Sequence, residues 1–234
     1  MTRDVVGVVV LAGLVAWLAA VLFGGVTAGQ PGPRLVGLVE LPGLFGVRDP
    51  DGPPGMIRPA ETVPVPLHAE PDPASARVAS VSAADSLVWA EFDYEAPAAL
   101  AYGEAGGWAL VALREETGRR YGWVPPGHRG PLHALGTLLE QGLAYLTSDW
   151  DGLLREEPSP GARSFRSERG GSGDPVDVNV LRTVESEGVT WIQVELLGPG
   201  RCTSASMPSV GATGWVPALA DGGMANAWFY SRGC

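Results

Sequence analysis

The chain predicts an all-β protein, and three observations carry that expectation. Gly and Pro are abundant, 33 and 21 of 234 residues, and they break the chain into short elements joined by turns. Runs of β-branched and aromatic residues recur between those breaks, as strands require. Three short motifs then appear twice in the same order, the signature of a duplicated small domain. With 45% apolar and 18% charged residues, the chain can bury a core and is not a disordered polyelectrolyte. Its formal charge of -10 repels phosphate backbones, so nucleic acid is excluded as a partner.

Taken in order, the first element is an uncharged apolar run from Val5 to Phe23. Its length is close to the ~20 residues that cross a bilayer. Arg3 precedes it, and two readings stand. One is a signal anchor, with residues 1–4 in the cytoplasm and the rest outside. The other is a signal peptide cleaved after Ala28, at the small-residue site Val26-Thr27-Ala28. Either places the bulk of the chain outside the cytoplasm: membrane-anchored and facing outward, or secreted or periplasmic. Residues 1–28 form this segment. Residues 29–61 follow as an expected Gly/Pro-rich tether, punctuated by Pro31-Gly32-Pro33, Pro42-Gly43 and Gly52-Pro53-Pro54-Gly55.

The globular part begins at residue 62 and carries the repeat. Leu67 to Pro73 and Leu154 to Pro160 both read Leu-x-x-Glu-Pro-x-Pro. Trp108 to Leu113 and Trp191 to Leu196 both read Trp-x-x-Val-x-Leu, each after a Gly-bearing turn at Gly106-Gly107 or Glu187-Gly188. Gly122 to Pro125 and Gly214 to Pro217 both read Gly-Trp-Val-Pro. The offset between copies stays between about 80 and 95 residues, as a tandem duplication requires. The turn glycines predict positive-φ hairpins, and the closing Pro ends a strand. Within the copies, Val78 to Trp89, Ala90 to Tyr94 and Trp108 to Leu113 are expected strands. The division is residues 62–127 for copy one, 128–142 for a connector and 143–234 for copy two. In the connector, apolar residues at 132, 135, 138 and 139 predict a short helix. Copy two opens with a strand from Leu143 to Thr147. Its aromatic tail, residues 224–230, is expected to add a strand or cap the copy.

Leu67, Pro71 and Ser75, then Gly-Gly-Trp-x-x-Val, then Gly-Trp-Val resemble the bacterial SH3-like (SH3b) domain family. The resemblance covers both copies, the second stretched by insertions at 167–175 and 201–212. It implies two tandem small half-open β-barrels that bind cell-wall peptidoglycan or peptides. Three functions remain in play. The first is an exported, non-catalytic module recognising peptidoglycan or a cell-envelope peptide. The second is a structural subunit docking an envelope protein through a sheet edge. The third is a wall hydrolase built on paired acids such as Glu115-Glu116 or Glu156-Glu157.

Little else in the sequence carries chemistry. The chain has three His, at 68, 128 and 133, and both cysteines follow them, without the helix-start context of a Cys–His hydrolase nucleophile. No zinc-protease, nucleophile-elbow or P-loop motif occurs, and neither a metal nor a cofactor is expected. Cys202 and Cys234 are expected to form a disulfide in an oxidising compartment. Such a bridge is worth about 3–4 kcal/mol of loop entropy. Candidate ligand contacts are the aromatics Tyr94, Tyr102, Trp108, Trp123, Trp191 and Trp215. Of these, Tyr94 and Tyr102 are the expected exposed pair, and the tryptophans are the expected core.

Overall fold

Two large antiparallel sheets, with a small two-stranded one beside them, make up most of the described residues. The computed structural model describes residues 32–49, 51–53, 56–58, 63–116, 118–169, 173–199, 209–221 and 223–233. The run from Val5 to Phe23, and both Cys202 and Cys234, lie outside the described residues. Among the described residues no helix is long and apolar enough to cross a membrane.

Gly37–Val39 (β1) leads to a one-turn helix, Pro42–Phe45 (α1), and a small hairpin of Val47–Arg48 (β2) with Ile57–Arg58 (β3). Next come Val65–His68 (β4), Arg77–Val81 (β5), Trp89–Asp93 (β6), Ala96–Ala105 (β7), Trp108–Glu115 (β8), Gly118–Val124 (β9) and Leu132–Ala134 (β10). After the helix Leu135–Gln141 (α2), the chain forms Ala144–Leu146 (β11), Leu153–Arg155 (β12), Ser164–Arg166 (β13), Val176–Ser186 (β14), Val189–Leu197 (β15), Val210–Pro217 (β16) and Ala227–Phe229 (β17). Strand accounts for 51% of the described residues against 9% helix, so the all-β class holds.

The duplication is visible in the topology. The first sheet is ordered β10-β1-β7-β8-β9-β4-β5, with β6 pairing β7, and the second is β17-β11-β14-β15-β16-β12-β13 read in the same direction. Each strand of the second sheet thus has a counterpart in the first, in the same chain order. The match extends to detail. β4 pairs β9 through His68 and Trp123, and β12 pairs β16 through Arg155 and Trp215, the equivalent residues of the repeat. A β-bulge interrupts β7 at Ala101/Gly103 and β14 at Val180/Arg182, in both cases opposite the Val of the Trp-x-x-Val motif. Both following turns have positive φ throughout, at Gly106-Gly107 and at Glu187-Gly188, the twist that a two-residue hairpin needs.

The first copy is wider than residues 62–127. Gly37–Val39, inside the expected tether, is a buried strand hydrogen-bonded on both sides, to β7 and to β10. The physical reason is that three residues suffice to fill a slot between two existing strands, and a segment so short shows no period. Likewise Leu132 to Ala134 pairs with β1 as β10, so the connector helix starts only at Leu135. Val78 to Trp89 is not one strand either; a 3-10 turn at Ala84–Ser86 divides it. The tail adds a strand, β17, to β11.

In copy one, inward-facing residues repeat every second position: Val65 and Leu67, Ala99 and Ala101, Ala109, Val111 and Leu113. They meet Val39, Val81 and Val124 in one cluster, so the sheet curls over its own core. A second cluster spans both copies. It joins Leu38, Ala98, Tyr102 and Ala112 of the first sheet, through Leu135 and Leu139 of α2, to Leu146, Leu154, Ile192 and Phe229 of the second. The helix is therefore packed in a shared core and is not a free connector.

Candidate functional site

Of the six aromatics expected at a ligand surface, five are wholly or largely withdrawn from solvent by their own neighbours. Trp191 is 1% exposed and lies under the Arg155 guanidinium, 5.4 Å from the ring centre. Trp215 is 4% exposed and lies under Arg182 at 4.9 Å. Both are cation–π contacts that the chain makes with itself. In copy one Trp108 is buried edge-on to His68, and Trp123 is half-buried over the backbone of Gly103. The tryptophans thus sit in the core or on its lid.

Tyr102, expected to be exposed, is 6% exposed. It lies at the bulge of β7, on the same face as Ala98, and that face is covered by the core shared with copy two. Its ring packs edge-on against Tyr121, and its hydroxyl accepts from Arg119 at 3.0 Å. Burial pushes its phenol above the ordinary tyrosine range, against the opposing pull of Arg119. Tyr94 is exposed in the β6–β7 turn, but Arg232 from copy two lies over its ring at 5.5 Å. With Tyr102 buried inside β7 and Tyr94 exposed in the turn before it, the two do not form one exposed groove.

The site the fold builds instead lies between the copies. The C-terminal tail crosses from copy two onto β6 of copy one. Arg232 donates through Nε and Nη2 to both carboxylate oxygens of Glu91, at 2.7 and 2.6 Å. The hydrogen-bonded guanidinium holds the Glu91 carboxyl below the usual glutamate range. Elsewhere along the junction, Arg34 Nη1 donates to the Gly188 carbonyl at 2.8 Å, and Glu140 accepts from the Thr183 hydroxyl at 2.7 Å.

Under the tail is a cleft of about 330 Å³. Copy one supplies Phe92 and Asp93 from β6 and His133 from β10. Helix α2 supplies Leu138 and Gln141, and the tail supplies Phe229, Tyr230 and Ser231. Phe92 and His133 stack at 4.0 Å, 18° from parallel, and make one wall. Glu40 fixes that imidazole, 2.8 Å from Nε2. On the opposite wall the Tyr230 ring leans on Tyr145, and its hydroxyl donates to Asp177 at 2.9 Å. His133 and Tyr230, one on each wall, are thus held by residues outside the cleft, as a preformed binding site requires. A second hollow, of about 240 Å³ between Arg169, Pro175 and Pro199, is smaller and has no aromatic wall.

Sequence reasoning missed this cleft because its walls come from β6, β10, α2 and the tail, which only the tertiary fold brings together. His133, in no motif of the sequence, stacks on Phe92, and among the described residues no group of three or more His, Cys, Asp and Glu stands close enough to hold a metal ion. No protein-family model matches the chain, and no curated protein is similar to it.

Proposed function

We propose that this chain is an exported, non-catalytic binding module of two SH3-like copies. In this reading it recognises peptidoglycan or a cell-envelope peptide in the cleft between the copies. The observation that carries the reading is the cleft itself: aromatic walls from both copies, each held in place by its own hydrogen bonds or stacking. A small amphipathic ligand suits a space of this size, at the low end of ligand pockets at about 300 Å³. The apolar run from Val5 to Phe23 supports an extracytoplasmic location, anchored or released. The SH3-like reading draws on the repeated motifs, and the half-barrel curl of copy one is compatible with it.

The test is co-sedimentation of the full chain, in mild detergent, with purified peptidoglycan sacculi at low and high salt. Pelleting at both salts, reduced by Phe92→Ala, is the expected result. Protein that stays in the supernatant under both conditions rejects wall binding. A second reading, docking of an envelope protein by strand addition, is favoured by the β13 edge, where Ser164–Arg166 are all exposed and Phe165 is 39% exposed. That reading predicts a stoichiometric protein complex and no affinity for sacculi.

A further inference from the structure

The two copies treat their tryptophans differently, and the difference marks an open position in copy one. In copy two both motif tryptophans carry a guanidinium of the same copy: Arg155 over Trp191 at 5.4 Å and Arg182 over Trp215 at 4.9 Å. Arg182 reaches its ring across β15, since it registers with Gln193 and Gln193 registers with Trp215. Its Nε donates to the Gln193 side-chain oxygen at 2.9 Å, which holds it in place. In copy one the same register runs from Gly103 through Leu110 to Trp123. Glycine therefore stands where copy two has the arginine. Neither crowding nor backbone conformation requires a glycine there. A Cβ at Gly103 would stand 3.5 Å from Trp123 Cη2 and 3.6 Å from Leu110 Cβ, ordinary contact distances, and its φ is not positive. The counterpart of Arg155 is His68, which lies edge-on to Trp108 and leaves that ring 7% exposed. Trp123 is half-buried, and among the described residues no cation lies over its ring. The arginine of copy one that does face a ring, Arg119, lies over Tyr102 at 5.9 Å.

We infer that Trp123 receives the guanidinium of an arginine side chain from a peptide or protein partner, as Trp215 receives Arg182. Indole is the best cation–π acceptor among the side chains. The guanidinium is planar and weakly hydrated, so it stacks on such a face at little desolvation cost. The formal charge of -10 on the chain favours a cationic partner. The inference goes beyond the inter-copy cleft, whose lining contains neither Trp123 nor Gly103.

The experiment follows the tryptophan indole N–H signals of the isotope-labelled full chain, in mild detergent, by NMR. The probes are Nα-acetyl-arginine methylamide and its citrulline counterpart, which keeps the shape and loses the charge. The Trp123 signal is identified by its loss in Trp123→Phe. It is expected to shift with the arginine probe, which should bind about threefold more tightly than citrulline, the size of a cation–π contact at a partly exposed ring. Gly103→Arg supplies from the chain itself what copy two already has, and it should abolish the response. Arg182→Ala should unroof Trp215 and give its signal the same response. The remaining indole signals report whether each variant is folded, so either variant decides. Equal affinity for the two probes, an unmoved Trp123 signal, or a response that survives in folded Gly103→Arg overturns the inference. An unresponsive Trp215 signal in folded Arg182→Ala overturns it too, because the comparison between the copies would then fail.

Discussion

At the scale of single residues, the repeated Gly-Trp-Val-Pro motif is structural in every position. A Cβ on Gly122 would meet the Leu67 Cβ at 2.8 Å, and one on Gly214 would meet the Leu154 Cβ at the same 2.8 Å. In each copy the glycine lets β9 or β16 approach the first leucine of the Leu-x-x-Glu-Pro-x-Pro motif. The two motifs therefore recur together because they touch. The valine that follows is fully buried in both copies, and the proline ends or follows the strand. Gly122→Ala and Gly214→Ala are each expected to destabilise the protein by about 1–3 kcal/mol through overpacking. Denaturant midpoints of the two variants check this; a change in only one of them would mean that the copies pack differently at this point.

At the scale of elements, the tail and helix α2 do what their sequences announce, in places the sequence does not reveal. Within the aromatic run 224–230, Ala227–Phe229 becomes β17, yet Tyr230 and Ser231 close the cleft and Arg232 ties copy two to Glu91. That tie depends on pH with a definite sign. The folded Glu91 carboxyl is held below its ordinary range by Arg232. The contribution is therefore complete above the unfolded glutamate value, about 4.3, and is lost as pH falls through the lower folded value. Glu91→Gln is expected to loosen the tail at neutral pH, to match the wild type once the carboxyl is protonated, and so to flatten this acid dependence. Amide hydrogen exchange over residues 227–233, followed from pH 7 down to pH 3, measures both effects; unchanged protection in the variant would show that β17 alone holds the tail. Helix α2 illustrates the same point from the other side. Its apolar spacing was legible, but the three residues before it pair with β1 because that strand offers an open hydrogen-bonding edge.

At the scale of the whole molecule, the described residues form one compact unit in which α2 belongs to a core shared by both sheets. Leu139 is fully buried there. One cooperative unfolding transition is expected, and Leu139→Ala should lower it by about 2–5 kcal/mol without splitting it. Calorimetry decides this, since two independently folded copies would give two transitions, only one of them moved by the variant. The sequence by itself determined the all-β class, the duplication, both positive-φ turns and the tryptophan-bearing strands. Each depends on a few neighbouring residues: a glycine that permits a turn, or alternation that makes a face. Only the tertiary structure decided where copy one begins, that Tyr102 is buried in the shared core, that arginines roof Trp191 and Trp215, and that a cleft lies between the copies. Those features need contacts between residues up to about 140 positions apart, such as Glu91 with Arg232. Chain-distant contacts of that kind leave no periodic trace, because neither partner's immediate neighbours are constrained by it.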